Sequence, residues 1–173
     1  VPYGWQRENL LEDAPLVLIM RTATQLICLA LAIYSAPILA DAGTPSFEDC
    51  QVAVSTPKKP VHVKLSTAES RRFASRLRDA ARQPINFAGQ YVLASWGCGA
   101  GCVMGGAVDT KSGNVVMLPF TISDWPLEVT EPLSFRKDSC LLVAQGSRNE
   151  QGHGTYYYKF NGRQFDLVKA VDK

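Results

Sequence analysis

Two cysteines four positions apart, set among glycines inside an apolar run, limit what this chain can fold into more than any other feature. From Asn86 to Asp109 it reads NFAGQYVLASWGCGAGCVMGGAVD, with Gly97, Gly99, Gly101, Gly105 and Gly106 around Cys98 and Cys102. Gln90 to Trp96 is apolar on both faces, as in a central strand, and Val103 to Val108 returns. Folded back as an antiparallel hairpin, these strands bring the two Cβ atoms into disulfide range at the tip. A thioredoxin-like redox pair needs C-x-x-C at a helix start, where the dipole lowers one thiol pKa. Here the spacing is C-x-x-x-C between strands, which predicts a structural staple. A phosphate-cradling loop needs a helix N-terminus or a Lys-Ser/Thr pair after the glycines, and neither follows.

The N-terminal quarter predicts an exported protein. Residues 1–19 carry three acids and make a poor leader, so they read as an upstream extension. Met20-Arg21 supplies a short positive region, Leu26 to Ala36 an apolar run of signal-peptide length, and Ala40-Asp41-Ala42 a small-x-small cleavage site. The expectation is a start at Met20, a signal peptide over 20–42 and one mature domain over 43–173. The competing expectation is a retained anchor, since Leu16 to Ala40 is long enough to span, although Arg21 interrupts it. Cys28 makes no lipoprotein site, because Ile27 stands where a small residue is needed. Over 43–173 the chain has 16 Lys and Arg against 12 Asp and Glu, a formal charge of +4. That suits an acidic partner or an anionic envelope polymer and falls short of a nucleic-acid signature.

Cys50, Cys98, Cys102 and Cys140 remain after cleavage. An even number in an exported chain reads as a disulfide set with three possible pairings. Cys98–Cys102 with Cys50–Cys140 is favoured, the second pair stapling a loose proline-bearing arm (residues 43–60) to an inner strand.

The rest of the chain predicts an α+β domain, mostly β. Val61 to Leu65 alternates like a short strand. Ser66 and Glu69 have capping-box spacing, which predicts one amphipathic helix to about Arg82, before Pro84. Phe73, Leu77, Ala80 and Ala81 form its apolar side; Arg71, Arg72, Arg76, Arg78 and Arg82 cover a solvated face or meet an anionic partner. Further strands are expected at Val115 to Leu118, Cys140 to Gln145, Thr155 to Phe160 and Arg163 to Lys169, with loops over 119–132 and 146–154 and a two-residue turn at Asn161-Gly162. Tyr156, Tyr158 and Phe160 would share one face. The architecture is an antiparallel meander of about six strands, sandwich-like or half-propeller-like, with one helix packed on it.

Candidate chemistry is sparse. Four cysteines with His62 and His153 lack the C-x₂-C knuckles of a zinc site, so no metal and no cofactor are implied. No serine sits in a nucleophile elbow. His153, in Gly152-His153-Gly154 near Glu150 and Arg148, is the one candidate for a hydrolytic group. Trp125 in a proline-bounded loop, Arg148, His153 and Tyr157 are the candidate binding residues, since loop aromatics commonly anchor interfaces. Trp96 is expected in the core.

Asn86-Phe87-Ala88-Gly89-x-Tyr91 followed by Trp96-Gly97-Cys98-Gly99-x-x-Cys102 resembles a core found in small exported bacterial proteins. The resemblance covers roughly Asn86 to Leu118. It implies single-domain export and brings no activity. The expectation is a periplasmic or secreted, disulfide-stapled envelope protein that binds a protein or cell-wall partner, as an inhibitor or immunity-type protein does. The alternative is a periplasmic hydrolase using His153 with Glu150.

Overall fold

The sequence alternation described above becomes a single antiparallel sheet. A computed structural model of the chain describes residues 43–56 and 61–172; the expected leader and the upstream extension lie outside them. Thr44–Lys173 forms one compact unit. Its strands are β1 (Tyr91–Gly99), β2 (Cys102–Asp109), β3 (Val115–Met117), β4 (Ile122–Ser123), β5 (Leu133–Phe135), β6 (Leu141–Arg148), β7 (Gln151–Phe160) and β8 (Phe165–Asp172). The order is β1-β2-β4-β6-β7-β8, with β3 beside β2 and β5 beside β6. The fold is therefore α+β and mostly β, with eight strands where about six were expected. The extra strands are two and three residues long, too short to show an alternation.

Two-residue β4 joins two halves, pairing with the ends of β2 and β6. Side chains from both halves meet in one cluster. Phe87 is fully buried between them, with its ring 5.3 Å from Phe160, 6.0 Å from Phe165 and 6.0 Å from Phe135. Tyr91 meets Phe160 edge-on at 4.8 Å. Leu93 and Ala107, paired across the β1–β2 hairpin, face this cluster, whereas Val92, Val108, Trp96 and Met104 face the opposite side. The period-two alternation thus supplies two cores from one hairpin.

The second core lies under two short helices, α1 (Ala68–Arg72) and α2 (Ala74–Ala80), not one continuous helix. Thr67, not Ser66, is the cap; its hydroxyl accepts from the Ser70 N–H, and Ser70 Oγ accepts from the Thr67 N–H. The chain breaks at Phe73 (φ −105°, ψ 26°), whose ring lies 5.2 Å from Trp96. Aromatic packing beneath the helices outweighs the cost of an interrupted turn. Gly106 admits this approach, since a Cβ there would meet Met117 Sδ at 3.0 Å and Leu77 at 3.5 Å. Val61 to Leu65 is not a strand; Lys64 makes a lone parallel bridge to Asn114.

The N-F-A-G-x-Y residues have structural work. Asn86 Nδ2 donates to Leu93 O (3.0 Å) and its Oδ1 accepts from Leu93 N–H (2.8 Å). Ala88 and Gly89 both have positive φ, and a Cβ at Gly89 would lie 2.4 Å from Ala53 O. This loop receives the N-terminal arm: Ser55 N–H donates to Gly89 O and Gly89 N–H to Lys137 O, both at 2.7 Å. Cys50 and Cys140 are disulfide-bonded, with Cα atoms 5.4 Å apart, and Cys140 N–H donates to Cys50 O. Cys98 and Cys102 are bonded at the hairpin tip, with Cα atoms 5.2 Å apart.

An exposed ionic clamp lies over the arm. Arg136 bonds Asp138 through Nε and Nη2 and Glu48 through Nη1 (2.7 Å). A backbone N–H and then Arg136 hold Glu48 below its usual pKa; Arg136 is the main cause of the same shift in Asp138. Both acids are more acidic folded than unfolded, so their contribution is complete above the ordinary carboxylate range, about pH 4. It is lost as pH falls through the lower folded values. Exposed pairs contribute little to global stability. The expected result is local: amide protection factors of residues 47–52 fall below about pH 4 while those of β6 and β7 hold. Equal losses in arm and sheet would show that the clamp does not act on the arm alone.

Candidate functional site

The end of the β6–β7 hairpin borders a concavity. Residues 146–154, expected as a loop, are mostly strand: β6 runs to Arg148, and Arg148 pairs with Gln151 across a two-residue turn. Both turn residues, Asn149 (φ 53°) and Glu150 (φ 63°), are left-handed, as a type I′ turn requires. Asn149 suits this; Glu150 does not. The turn is held in place by Asn149, which donates its N–H to Thr121 O and accepts the Thr121 N–H on Oδ1. Glu150→Gly is expected to stabilise the fold by about 0.5–1 kcal/mol, read as a higher urea midpoint at unchanged slope. A lower midpoint would mean that the Glu150 side chain makes a stabilising contact.

Beside the turn lies a cleft of about 540 Å³ lined by Phe120, Arg148, Gln151, Tyr156, Tyr158 and Asp172 among others. Arg148 comes from the last position of β6. Tyr156 and Tyr158 come from the inward row of β7, where buried residues alternate with half-buried ones. The Arg148 guanidinium lies 4.9 Å from the Tyr156 ring centroid, and its Nη1 donates to the Tyr158 hydroxyl at 3.0 Å. Tyr158 is buried and stacks on Phe120 at 4.5 Å. Burial pushes the Tyr158 hydroxyl above its usual pKa, offset in part by Arg148, so it stays protonated. The bond to Tyr158 in turn raises the Arg148 pKa, with Asp172 a smaller contributor. Arg148 is thus a permanently charged group, fixed in direction by two rings. Among the described residues no acid lies within 4 Å of it.

The four candidate binding residues do not form one site. Arg148 enters the cleft. His153 and Tyr157 belong to the opposite, outward row of β7; Tyr157 sits between Val143 and Lys169. Trp125 is half-buried and packs against the central cluster. His153 Nδ1 stands 3.6 Å from Asp124 Oδ2, beyond hydrogen-bond distance, and it is not part of the cleft lining. Glu150 is exposed at the turn and makes no ion pair with His153 among the described residues. All four cysteines of the described region are in disulfides, and no three His, Cys, Asp or Glu side chains converge there as a metal site would need.

Tyr156, Tyr158, Phe120 and Asp172 were not singled out from sequence. The shared face of Tyr156 and Tyr158 was visible; that Arg148 lies over it depends on the hairpin register. Comparison with protein-family models, curated proteins and solved structures finds no match to this chain.

Proposed function

We propose that the chain is an exported, disulfide-stapled envelope protein that binds a macromolecular partner through the cleft at the β6–β7 hairpin. An inhibitor or immunity-type role, in which the partner is itself an envelope protein, is the concrete form of this reading. One observation carries it: a cation pre-aimed by Tyr156 and Tyr158 into an open cleft, with no acid among the described residues within ion-pair distance. Such a group costs little to order when a partner arrives. Two disulfides suit an oxidising compartment. No helix among the described residues is long and apolar enough to cross a membrane. The resemblance to small exported bacterial proteins agrees with this reading. The hydrolase alternative has less behind it, because His153 lies outside the cleft lining and has only an exposed acid near it.

The test is site-specific photocrosslinking in cells exporting the full chain. A crosslinker at Gln151, on the cleft wall, is expected to give a discrete adduct that Arg148→Ala abolishes. A crosslinker at Arg78, on exposed α2, is the control. No adduct at Gln151, or the same adducts from both positions, overturns the proposal.

A further inference from the structure

We propose that the ligand of this cleft is an extended acidic peptide segment, which adds to the outer edge of β8 and places a carboxylate on Arg148. The inference rests on the cleft being the binding site and goes on to name what binds.

Arg148 sets the ligand's charge. Its guanidinium has five N–H donors, and one is used by Tyr158. A carboxylate fits the remaining fork in bidentate fashion. Asp172 on the same cleft wall opposes a doubly charged phosphate beside a single cation, and so favours a carboxylate.

A strand that lines the cleft sets the ligand's form. β8 is the outermost strand, paired with β7 on one side only among the described residues. Its other side offers a row of backbone N–H and C=O groups to an added strand. Leu167, Val168 and Val171 on it are 44%, 49% and 41% exposed, three of the five exposed large apolar residues described. Ala170 and Asp172 of the same strand line the cleft together with Arg148, so a segment lying along β8 runs beside the cleft that holds the cation. The β7–β8 register shifts between Tyr157 and Tyr158, skipping Val168. This bulge interrupts β8 and works against an extended β8-to-β8 pairing of two copies, while Ala170 and Asp172 after it line the cleft.

The same geometry disfavours a carboxylated glycan. Sugar recognition stacks a ring on a bare aromatic face, but the Tyr156 face is covered by Arg148 and Tyr158 is stacked on Phe120.

Panning a displayed library of random octapeptides against the purified domain, disulfides intact, tests the inference. Arg148→Gln serves as counter-target, and a carboxylated oligosaccharide is assayed in parallel. Selected peptides are expected to carry Asp or Glu among β-branched residues. Their synthetic forms should bind at least tenfold more weakly to Arg148→Gln, and Glu→Gln within the peptide should cost as much. Binding should slow amide exchange across residues 167–172. Peptides without acidic enrichment, or equal binding to Arg148→Gln, overturn the inference. Arg148-dependent binding of the oligosaccharide alone overturns it while leaving the cleft as the binding site. A domain that dimerises through β8 and takes no peptide overturns it in favour of a second copy. Failure of the Gln151 crosslink, by contrast, removes the cleft itself.

Discussion

Removing the Cys50–Cys140 disulfide, as Cys50→Ser with Cys140→Ser, is expected to cost about 4–5 kcal/mol. The bond spans 90 positions, and the chain-entropy relation gives that range for a closed loop of this length. The Cys98–Cys102 bond spans four, and the same relation gives about 2 kcal/mol. The two double variants therefore separate the entropic view from one in which every disulfide contributes alike. Small domains have about 5–15 kcal/mol in total, so the first variant loses a large share of its stability. It also releases the arm, whose bonds from Val52 to Asp138 and Ser55 to Gly89 depend on the chain being held at Cys50. Urea unfolding of both variants, with amide exchange over residues 50–55, measures this. Equal midpoints for the two would overturn the argument, as would an arm that keeps its protection without the staple.

Phe87→Ala is expected to cost about 3–5 kcal/mol, the range for an aromatic removed from a packed core. Phe87 is wholly inaccessible and its ring touches Phe135, Phe160 and Phe165, which come from β5, β7 and β8. Its loss leaves a cavity where the two halves of the sheet meet. Phe87→Leu keeps most of the volume and should cost less than about 2 kcal/mol. Thermal or urea unfolding of both, with the near-ultraviolet signal of the tyrosines, distinguishes a cavity from a collapse. A loss below about 1.5 kcal/mol for Phe87→Ala would mean that the neighbouring rings close the gap. The result bears on function, because Phe160 and Tyr158 lie on the same row of β7 and Tyr158 orients Arg148.

Much of this fold was legible because local pattern and long-range pairing agree in it. Tyr156, Tyr158 and Phe160 alternate with polar or half-buried neighbours, and all three are buried on one side. The glycine-rich turn between Cys98 and Cys102 made a hairpin the simplest solution, and Gly99 and Cys102 pair across it. Misreadings fell where tertiary contact overrides a local signal. Asn161-Gly162 looks like a two-residue turn, yet Phe160 pairs with Phe165. The Asn161 side chain accepts the N–H groups of Arg163 and Gln164 and so stabilises a four-residue loop. Gly152 and Gly154 suggest a loop over 146–154, but Gly154 pairs with Asp172 of β8, and a Cβ there would come 2.4 Å from Val171 O. Gly154 serves close strand approach rather than disorder of the ladder, and Gly152 takes a positive φ of 64°.

The chain's own residues determined that it would be β-rich and cross-linked in the described region by an even set of cysteines. These properties follow from side-chain period, spacing and composition, which act over a few residues and need no knowledge of distant partners. Where a ligand can be held was decided only in three dimensions. Arg148 from β6, Tyr156 and Tyr158 from β7, Asp172 from β8 and Phe120 from the loop before β4 meet in one cleft. A single-residue change of register would turn Arg148 to the other face. The same register places His153 on the outward row of β7, outside the cleft that Arg148 lines. Register is set by burial of the aromatic row over the whole sheet, and that sum is not readable from any one stretch.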